Sequence, residues 1–168
     1  MKLITTLLLL LFSIKIVHSK TILFDSIPPH LKNLKLPDFK ILLPDSISFF
    51  YKENLDRKKK YTLLMSFSPE CDHCKQQTLE ILTRIDAFKN AQIVMTTTLP
   101  FEQMKLFYTE FKIGAYKNIV LGRDLLFFFP RYYKNNSLPF LALYNKKGEL
   151  MSVYDGGVRI ETIINQLH

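Results

Sequence analysis

The 168-residue sequence contains no tryptophan, only two cysteines and only five glycines. Two cysteines exclude a scaffold held together by several disulfides, and so few glycines exclude a collagen-like chain. Hydrophobic residues make up 48% and charged residues 23% of the chain, which is typical of one ordinary globular domain. Because a chain of this length buries enough surface to fold without a metal or many disulfides, the two cysteines require another explanation.

Residues 1–19 are predicted to be a secretory signal peptide. Lys2 precedes an apolar run over residues 3–14, and the small residue Ser19 ends the segment. The run is shorter than the about 20 apolar residues that cross a bilayer, and Lys15 interrupts it. We therefore expect cleavage, secretion and no stable membrane insertion afterwards.

The rest of the chain is predicted to form an N-terminal lead-in, residues 20–60, and one α/β domain, residues 61–168. Several prolines lie between the short apolar runs of the lead-in, and they indicate an extended segment with one small hairpin. In the aromatic segment 124–133, Pro130 is expected to bend or end any helix. The other apolar patterns predict strands at 61–67, 92–97 and 118–121, helices at 72–89, from about 100 and from 160, and a hairpin at 140–144 and 149–154.

The motif Cys71-Asp72-His73-Cys74 lies where the first of these strands gives way to a helix. The first turn of a helix offers unpaired N–H groups and a positive dipole, and both stabilise a thiolate. Cysteines in such motifs have a pKa lowered from about 8.5 into a range of roughly 3.5 to 7.5. Cys71 is therefore predicted to be the attacking thiol, and Cys74 to resolve the mixed disulfide.

The neighbouring residues are predicted to tune this pair in opposite directions. A protonated or N–H-donating His73 would favour the Cys71 thiolate, whereas the negative charges of Glu70 and Asp72 would disfavour it. The sequence therefore leaves open whether the pair acts as an oxidant or as a reductant.

Other uses of the cysteine pair are less favoured by the sequence. A disulfide across so short a loop constrains the unfolded chain little. Structural zinc needs four ligands, and beyond His73 the only other histidines are His18, His30 and His168, far away in sequence. Lys75 stands where a c-type haem site requires histidine. We therefore expect neither a metal nor a cofactor.

The net charge of +8 could suggest an anionic partner. The largest basic cluster, residues 57–60, precedes a predicted strand and is interpreted as a solvated turn. No nucleic-acid partner is expected.

Taken together, these features resemble the thioredoxin-fold redoxins, the secreted group that includes TlpA-like and AhpC/TSA-like thiol oxidoreductases. The resemblance covers most of the chain after residue 19. It rests on the CDHC motif after a strand, an inserted strand and helix, and the segments Pro37-Asp38-Phe39, Asp45-Ser46 and Ser137-Leu138-Pro139.

The resemblance implies a three-layer α/β/α sandwich with a mixed central sheet, a β-hairpin and a strand–helix segment inserted after the CxxC helix. It implies that Pro139 is a cis-proline facing the CxxC loop and that Leu138 supplies a backbone contact to the substrate chain. The implied activity is thiol–disulfide exchange with protein thiols and an upstream redox partner. Together with the predicted signal peptide, this activity leads us to expect a location in the periplasm of a Gram-negative bacterium. We also expect the protein to be a monomer.

Two departures from the family pattern leave alternatives open. Glu70 replaces the tryptophan that often precedes the first cysteine, and Met65 and its neighbours leave the strand before it without an acidic residue. No base for Cys74 is evident. Ser68 lies where AhpC/TSA-like peroxidases carry threonine or serine, but Leu64 replaces their proline, so a thiol peroxidase is the second interpretation. A redox-inactive binding module and a copper carrier are further alternatives.

Overall fold

The computed structural model of the protein describes residues 27–167, so the predicted signal peptide lies outside the described residues. Five α-helices and seven strands lie in this range, together with three short 3₁₀ turns. In chain order they are α1 (Pro29–Lys32), β1 (Lys40–Leu42), β2 (Phe49–Tyr51), β3 (Tyr61–Ser66), α2 (Asp72–Thr83), β4 (Ala91–Thr97), α3 (Phe101–Glu110), β5 (Ile119–Arg123), α4 (Phe128–Tyr133), β6 (Phe140–Asn145), β7 (Leu150–Asp155) and α5 (Ile160–Ile164).

All seven strands belong to one mixed sheet in the order β2-β1-β5-β4-β3-β6-β7. Strands β3, β4 and β5 are parallel, whereas β6 runs antiparallel to β3 and forms a hairpin with β7. Ser66, the last residue of β3, is paired with Thr96 of β4 and with Phe140 of β6. The C-terminal end of β3 therefore lies beside the beginning of β6.

Apolar side chains alternate between the two faces of this sheet, as side chains do along any strand. Leu63 and Met65 pack into the core formed with α2, α3 and α5. Leu64 packs on the opposite face into a second core, which includes Phe129 and Tyr133 of α4. The predicted three-layer α/β/α sandwich is confirmed.

The lead-in contributes directly to the sheet. Strands β1 and β2 form the predicted small hairpin, and β1 reaches β5 through the pair Leu42 and Arg123. A Cβ at Gly122 would lie 2.8 Å from the carbonyl oxygen of Leu42. This close approach of two backbones requires glycine at that position.

Two predicted elements differ from the structure. The helix predicted for residues 72–89 ends at Thr83 and is followed by a 3₁₀ turn, Ile85–Phe88. The N–H of Arg84 is shared among carbonyls of the last turn, as is common at helix ends. The prediction that Pro130 bends or ends a helix is wrong. Pro130 is the third residue of α4, where its missing N–H would have no partner within the helix.

The basic cluster at residues 57–60 lies largely exposed at the turn before β3, as predicted. Lys59 donates from Nζ to the carbonyl of Lys89 at 2.7 Å. Among residues 27–167, no helix has both the length and the apolar composition needed to cross a membrane.

His30 anchors α1 to the second core. Its ring is buried, with its centroid 5.1 Å from that of Tyr133 and 6.1 Å from that of Phe140. Its Nδ1 atom has no hydrogen-bond partner among the described residues. Burial lowers the pKa of His30 below its ordinary value of 6.5, and a hydrogen bond to the Tyr132 backbone opposes this only in part.

This burial predicts a loss of stability in mild acid. Because the pKa of His30 is lower in the folded state, the unfolded chain binds more protons there, and stability falls as the pH drops below 6.5. Urea unfolding at pH 7.5 and pH 5.0 should show a smaller difference for His30→Gln than for the unchanged protein. His73→Gln, which alters an exposed histidine, should retain the difference, and an equal effect of both variants would contradict the assignment to His30.

Candidate active site

Cys71 is the N-cap residue of α2, at the end of the loop that leaves β3. Its Sγ atom accepts a hydrogen bond from the backbone N–H of Cys74 at 3.3 Å. Both thiols are free, and Cys71 is half-buried whereas Cys74 is fully buried. The sulfur of Cys71 therefore lies in the N–H-rich first turn of the helix, where negative charge is stabilised.

The two thiols differ in chemical environment. Burial, a hydrogen bond with the Cys71 side chain and the charge of Cys71 raise the pKa of Cys74 to about 12, although a backbone hydrogen bond with Ser68 acts in the opposite direction. Cys74 therefore stays protonated at neutral pH. Of the two cysteines, only Cys71 both contacts solvent and has a sulfur atom that accepts a hydrogen bond from a backbone N–H.

The Leu138–Pro139 segment faces this pair. The carbonyl oxygen of Leu138 lies 3.8 Å from the Sγ atom of Cys71, although 67 positions separate the two residues in sequence. The peptide bond between Leu138 and Pro139 is cis. The pairing of β6 with β3 produces this proximity, because it brings the residues before Phe140 next to the residues after Ser66.

The three residues proposed from the sequence to tune Cys71 all lie at the surface. Glu70 accepts a hydrogen bond from Nε2 of Gln103 at 2.9 Å, which ties the loop to α3. The carboxylate of Asp72 is 96% exposed and lies 3.9 Å from Nζ of Lys75. An exposed ion pair of this kind contributes little, because water screens both charges.

A base for Cys74 is not evident in the structure either. Met65 is fully buried in the same core as Cys74, and Glu102 and Glu110 are exposed on α3. The hydroxyl of Thr78 is buried but donates to the carbonyl of Cys74 at 2.8 Å rather than to its sulfur. Among residues 27–167, no group of three histidine, cysteine, aspartate or glutamate side chains could hold a metal ion.

Asp155 is a site residue that the sequence did not reveal. Its two carboxylate oxygens accept hydrogen bonds from the backbone N–H of Ser137 at 2.8 Å and of Asn136 at 3.0 and 3.1 Å. Burial raises the pKa of Asp155, but these bonds and one from the Asn136 side chain outweigh it and lower the pKa below 3.8. An ionised Asp155 therefore holds the loop that presents Leu138 to Cys71. The only signal in the sequence is its place at the end of β7, opposite that loop.

Replacing Asp155 with alanine is expected to loosen this loop. Removal of a charged acceptor shared by two backbone N–H groups should lower amide protection at Ser137 several-fold, because water around the exposed Asp155 screens part of the about 1.5–3 kcal/mol that bonds to charged groups contribute. Hydrogen exchange measures this effect. Asp155→Asn, which keeps one acceptor oxygen, should give an intermediate loss.

The exposed Asp86 provides a control for the loss of one negative charge. Asp86→Ala should leave protection at Ser137 unchanged. If Asp155→Ala and Asp86→Ala change the hydrogen-exchange protection of the Ser137 amide equally, then Asp155 does not hold the loop.

Comparison with known proteins defines the class of fold. No family model and no curated protein sequence matches this chain. A secreted disulfide oxidoreductase from Mycobacterium tuberculosis matches in structure with a TM-score of 0.63 and 15% identity, over 77% of this chain and 93% of that one. An exposed lipoprotein thioredoxin from Streptococcus pneumoniae matches with a TM-score of 0.58 and 21% identity, over 78% and 98%. A peroxiredoxin-like protein from Aquifex aeolicus matches with a TM-score of 0.62 and 10% identity, over 79% and 83%.

The chain therefore has the thioredoxin fold. Its structural neighbours include thioredoxin-like thiol:disulfide oxidoreductases, as the resemblance in sequence implied. Within this fold, the Cys71–Cys74 pair occupies the N-terminus of α2, opposite Leu138.

Proposed function

We propose that the protein is a thiol–disulfide oxidoreductase that exchanges disulfides with protein thiols through Cys71 and Cys74. The observation that carries this proposal is the pairing of a half-buried N-cap thiol with a buried second thiol. A purely structural disulfide has no need of one solvent-accessible sulfur held by a helix N–H. The backbone of Leu138, beside Cys71, would bind the substrate chain.

Reduction of a substrate would proceed in two exchange steps. The Cys71 thiolate attacks one sulfur of a protein disulfide, that S–S bond breaks, and the departing sulfur takes up a proton. Cys74 then loses its proton to water and attacks Sγ of Cys71. The second substrate sulfur leaves and is protonated, so that the substrate gains two electrons and the Cys71–Cys74 pair loses two. Substrate oxidation uses the same steps in reverse.

The environment of Cys74 supports this order of events. Two of the causes that raise its pKa, the hydrogen bond and the charge, come from Cys71 itself. Both disappear once the sulfur of Cys71 is bonded to a substrate, and burial alone then opposes ionisation of Cys74. Ionisation of Cys74 would therefore become easier once Cys71 has reacted, although burial, the largest cause of its raised pKa, would still oppose it.

We also propose that the protein acts outside the cytoplasm, in the periplasm of a Gram-negative bacterium. The predicted signal peptide at residues 1–19 supports secretion. Two structural neighbours are described as secreted or exposed. Disulfides persist in such oxidising compartments, where exchange enzymes have substrates.

The reduction potential of the Cys71–Cys74 pair tests the proposed function. Purified protein without residues 1–19 would be equilibrated in glutathione or dithiothreitol buffers and its free thiols counted. We expect a reversible two-electron transition between about −120 mV, as for a strong oxidant, and about −270 mV, as for a reductant. A pair that no buffer reduces without unfolding the protein would overturn the proposal.

Two parallel measurements address the alternatives. Consumption of peroxide by the reduced protein, faster than disulfide exchange, would favour the thiol peroxidase to which Ser68 points. Stoichiometric copper retained by the reduced pair, without exchange, would favour a copper-carrying module.

A further inference from the structure

A cavity of about 200 Å³ lies beside the proposed active site, on the face of the sheet opposite Cys74. It is located at the C-terminal ends of the parallel strands β3, β4 and β5, where α/β folds commonly place ligand sites. Residues at its wall include Ser66, Thr96, Asp124, Phe129, Asn135 and Leu138.

Three polar atoms of this wall lack a partner within the described part of the protein. They are Oγ of Ser66, Oγ1 of Thr96 and Oδ1 of Asn135. Ser66 is only 7% exposed and Thr96 only 1%. Since buried polar groups are nearly always hydrogen-bonded, three unpaired oxygens around one cavity indicate a place for a polar occupant.

The register of the sheet explains why two of these oxygens lie together. Ser66 and Thr96 are paired residues on neighbouring parallel strands. They follow Leu64 and Val94 by two positions and therefore point to the same face, into the second core. On this face of β3 and β4, two adjacent hydroxyl groups therefore lie where continued alternation would place another pair of apolar side chains.

Asp124 makes the cavity unfavourable for a negatively charged occupant. It is 1% exposed, and its carboxylate accepts hydrogen bonds from the backbone N–H groups of Phe129 at 2.9 Å and Leu126 at 3.2 Å. A carboxylate at the wall disfavours an anionic occupant, because like charges repel. The unpaired hydroxyl and amide oxygens favour an occupant that both donates and accepts hydrogen bonds.

Leu138 connects this cavity to Cys71. Its carbonyl oxygen lies 3.8 Å from the Cys71 sulfur, and its side chain packs against both cores of the protein. An extended chain that runs along Leu138 would direct successive side chains to opposite sides. If its cysteine faces Cys71, then the adjacent residue faces the cavity.

We propose that this cavity, lined by Ser66, Thr96 and Asn135, receives a small uncharged polar side chain next to the reacting cysteine of the substrate. The proposal rests on the proposed function, since it assumes a polypeptide bonded to Cys71. Serine, threonine, asparagine and glutamine have the required donors and acceptors. A space of about 200 Å³, equivalent to about seven waters, accommodates any of them.

Peptide mixed disulfides test the proposal. The probes are short peptides whose single cysteine carries a mixed disulfide and whose neighbouring residue is asparagine, serine, alanine, leucine or aspartate, placed on either side of the cysteine. With reduced protein, the asparagine or serine peptide should react about tenfold faster than the alanine peptide, the effect of one net hydrogen bond. The aspartate peptide should react more slowly than the alanine peptide.

Two nearly isosteric variants separate recognition from folding. Ser66→Ala and Thr96→Val remove an unpaired hydroxyl each and should reduce the ratio of the asparagine or serine peptide rate to the alanine peptide rate. Urea unfolding verifies that both variants are folded. Thr109→Val, which alters an exposed threonine on α3, is the matched control and should retain the preference.

The possible outcomes distinguish the two proposals. Equal rates for all peptides would overturn the pocket assignment and leave the exchange activity intact. A preference that persists undiminished in both Ser66→Ala and Thr96→Val would also overturn it. Absence of reaction with every peptide would overturn the proposed function and the pocket assignment with it.

Discussion

Replacing Cys71 with serine is expected to abolish disulfide exchange, whereas replacing Cys74 with serine should trap mixed disulfides. The reason is the different exposure of the two sulfurs. Cys71 reaches solvent at the N-terminus of α2, and Cys74 is fully buried. Without Cys74, an intermediate bonded to Cys71 lacks the thiol that would release it. Non-reducing electrophoresis with a disulfide-containing substrate separates the two outcomes.

Alkylation provides a measurement that does not depend on a substrate. The raised pKa of Cys74 leaves it with far less thiolate near neutral pH than an ordinary cysteine has. A short iodoacetamide pulse on the reduced protein should therefore modify Cys71 and leave Cys74 unmodified, as mass spectrometry of the two peptides would reveal. Equal labelling of both cysteines in the folded protein, or release of substrate by Cys74→Ser at the rate of the unchanged protein, would contradict the assigned roles.

Replacing Phe107 with alanine is expected to produce a large loss of stability. Phe107 is 1% exposed, and its ring centroid lies 4.5 Å from that of Phe67 and 4.3 Å from that of Phe111. Truncation of a buried phenylalanine costs about 3–5 kcal/mol, a large part of the about 5–15 kcal/mol that stabilises a domain. The shift in urea midpoint measures this cost.

Leu106 is the matched control for this change. It precedes Phe107 on α3 but is 70% exposed. Leu106→Ala should shift the midpoint little, because most of its surface is already in water. Similar shifts for the two variants would show that α3 does not pack through Phe107.

Local pattern was enough to predict most of the fold. The apolar run at 61–67 and the repeat of apolar residues after Cys71 predicted β3 and α2, since each reflects which side chains must leave water. The prediction for Pro130 was wrong because the sequence did not show where the helix that contains it begins. Pro130 was expected to interrupt a helix, but α4 begins two residues earlier, at a point that aromatic residues alone do not mark.

The chemistry of the site was only partly accessible from the sequence. The spacing of Cys71 and Cys74 indicated an attacking and a resolving thiol, because a helix N-terminus acts on the residues closest to it along the chain. Asp155 carried no such signal. Asp155 accepts hydrogen bonds from Asn136 and Ser137 and so ties the end of β7 to the loop before β6. A carboxylate at the end of a strand can have many other roles, so its position in the sequence does not indicate this one.

The sequence by itself determined the order of the elements apart from α1 and α4, and the place of the cysteine pair on α2, because both follow from interactions between near neighbours in the chain. The tertiary structure decided what surrounds that pair. Leu138 meets Cys71 only because β6 pairs with β3, and Ser66 meets Thr96 only because β3 and β4 pair in one register. Pairing of distant strands depends on how all the apolar faces fit together, so no local pattern specifies it.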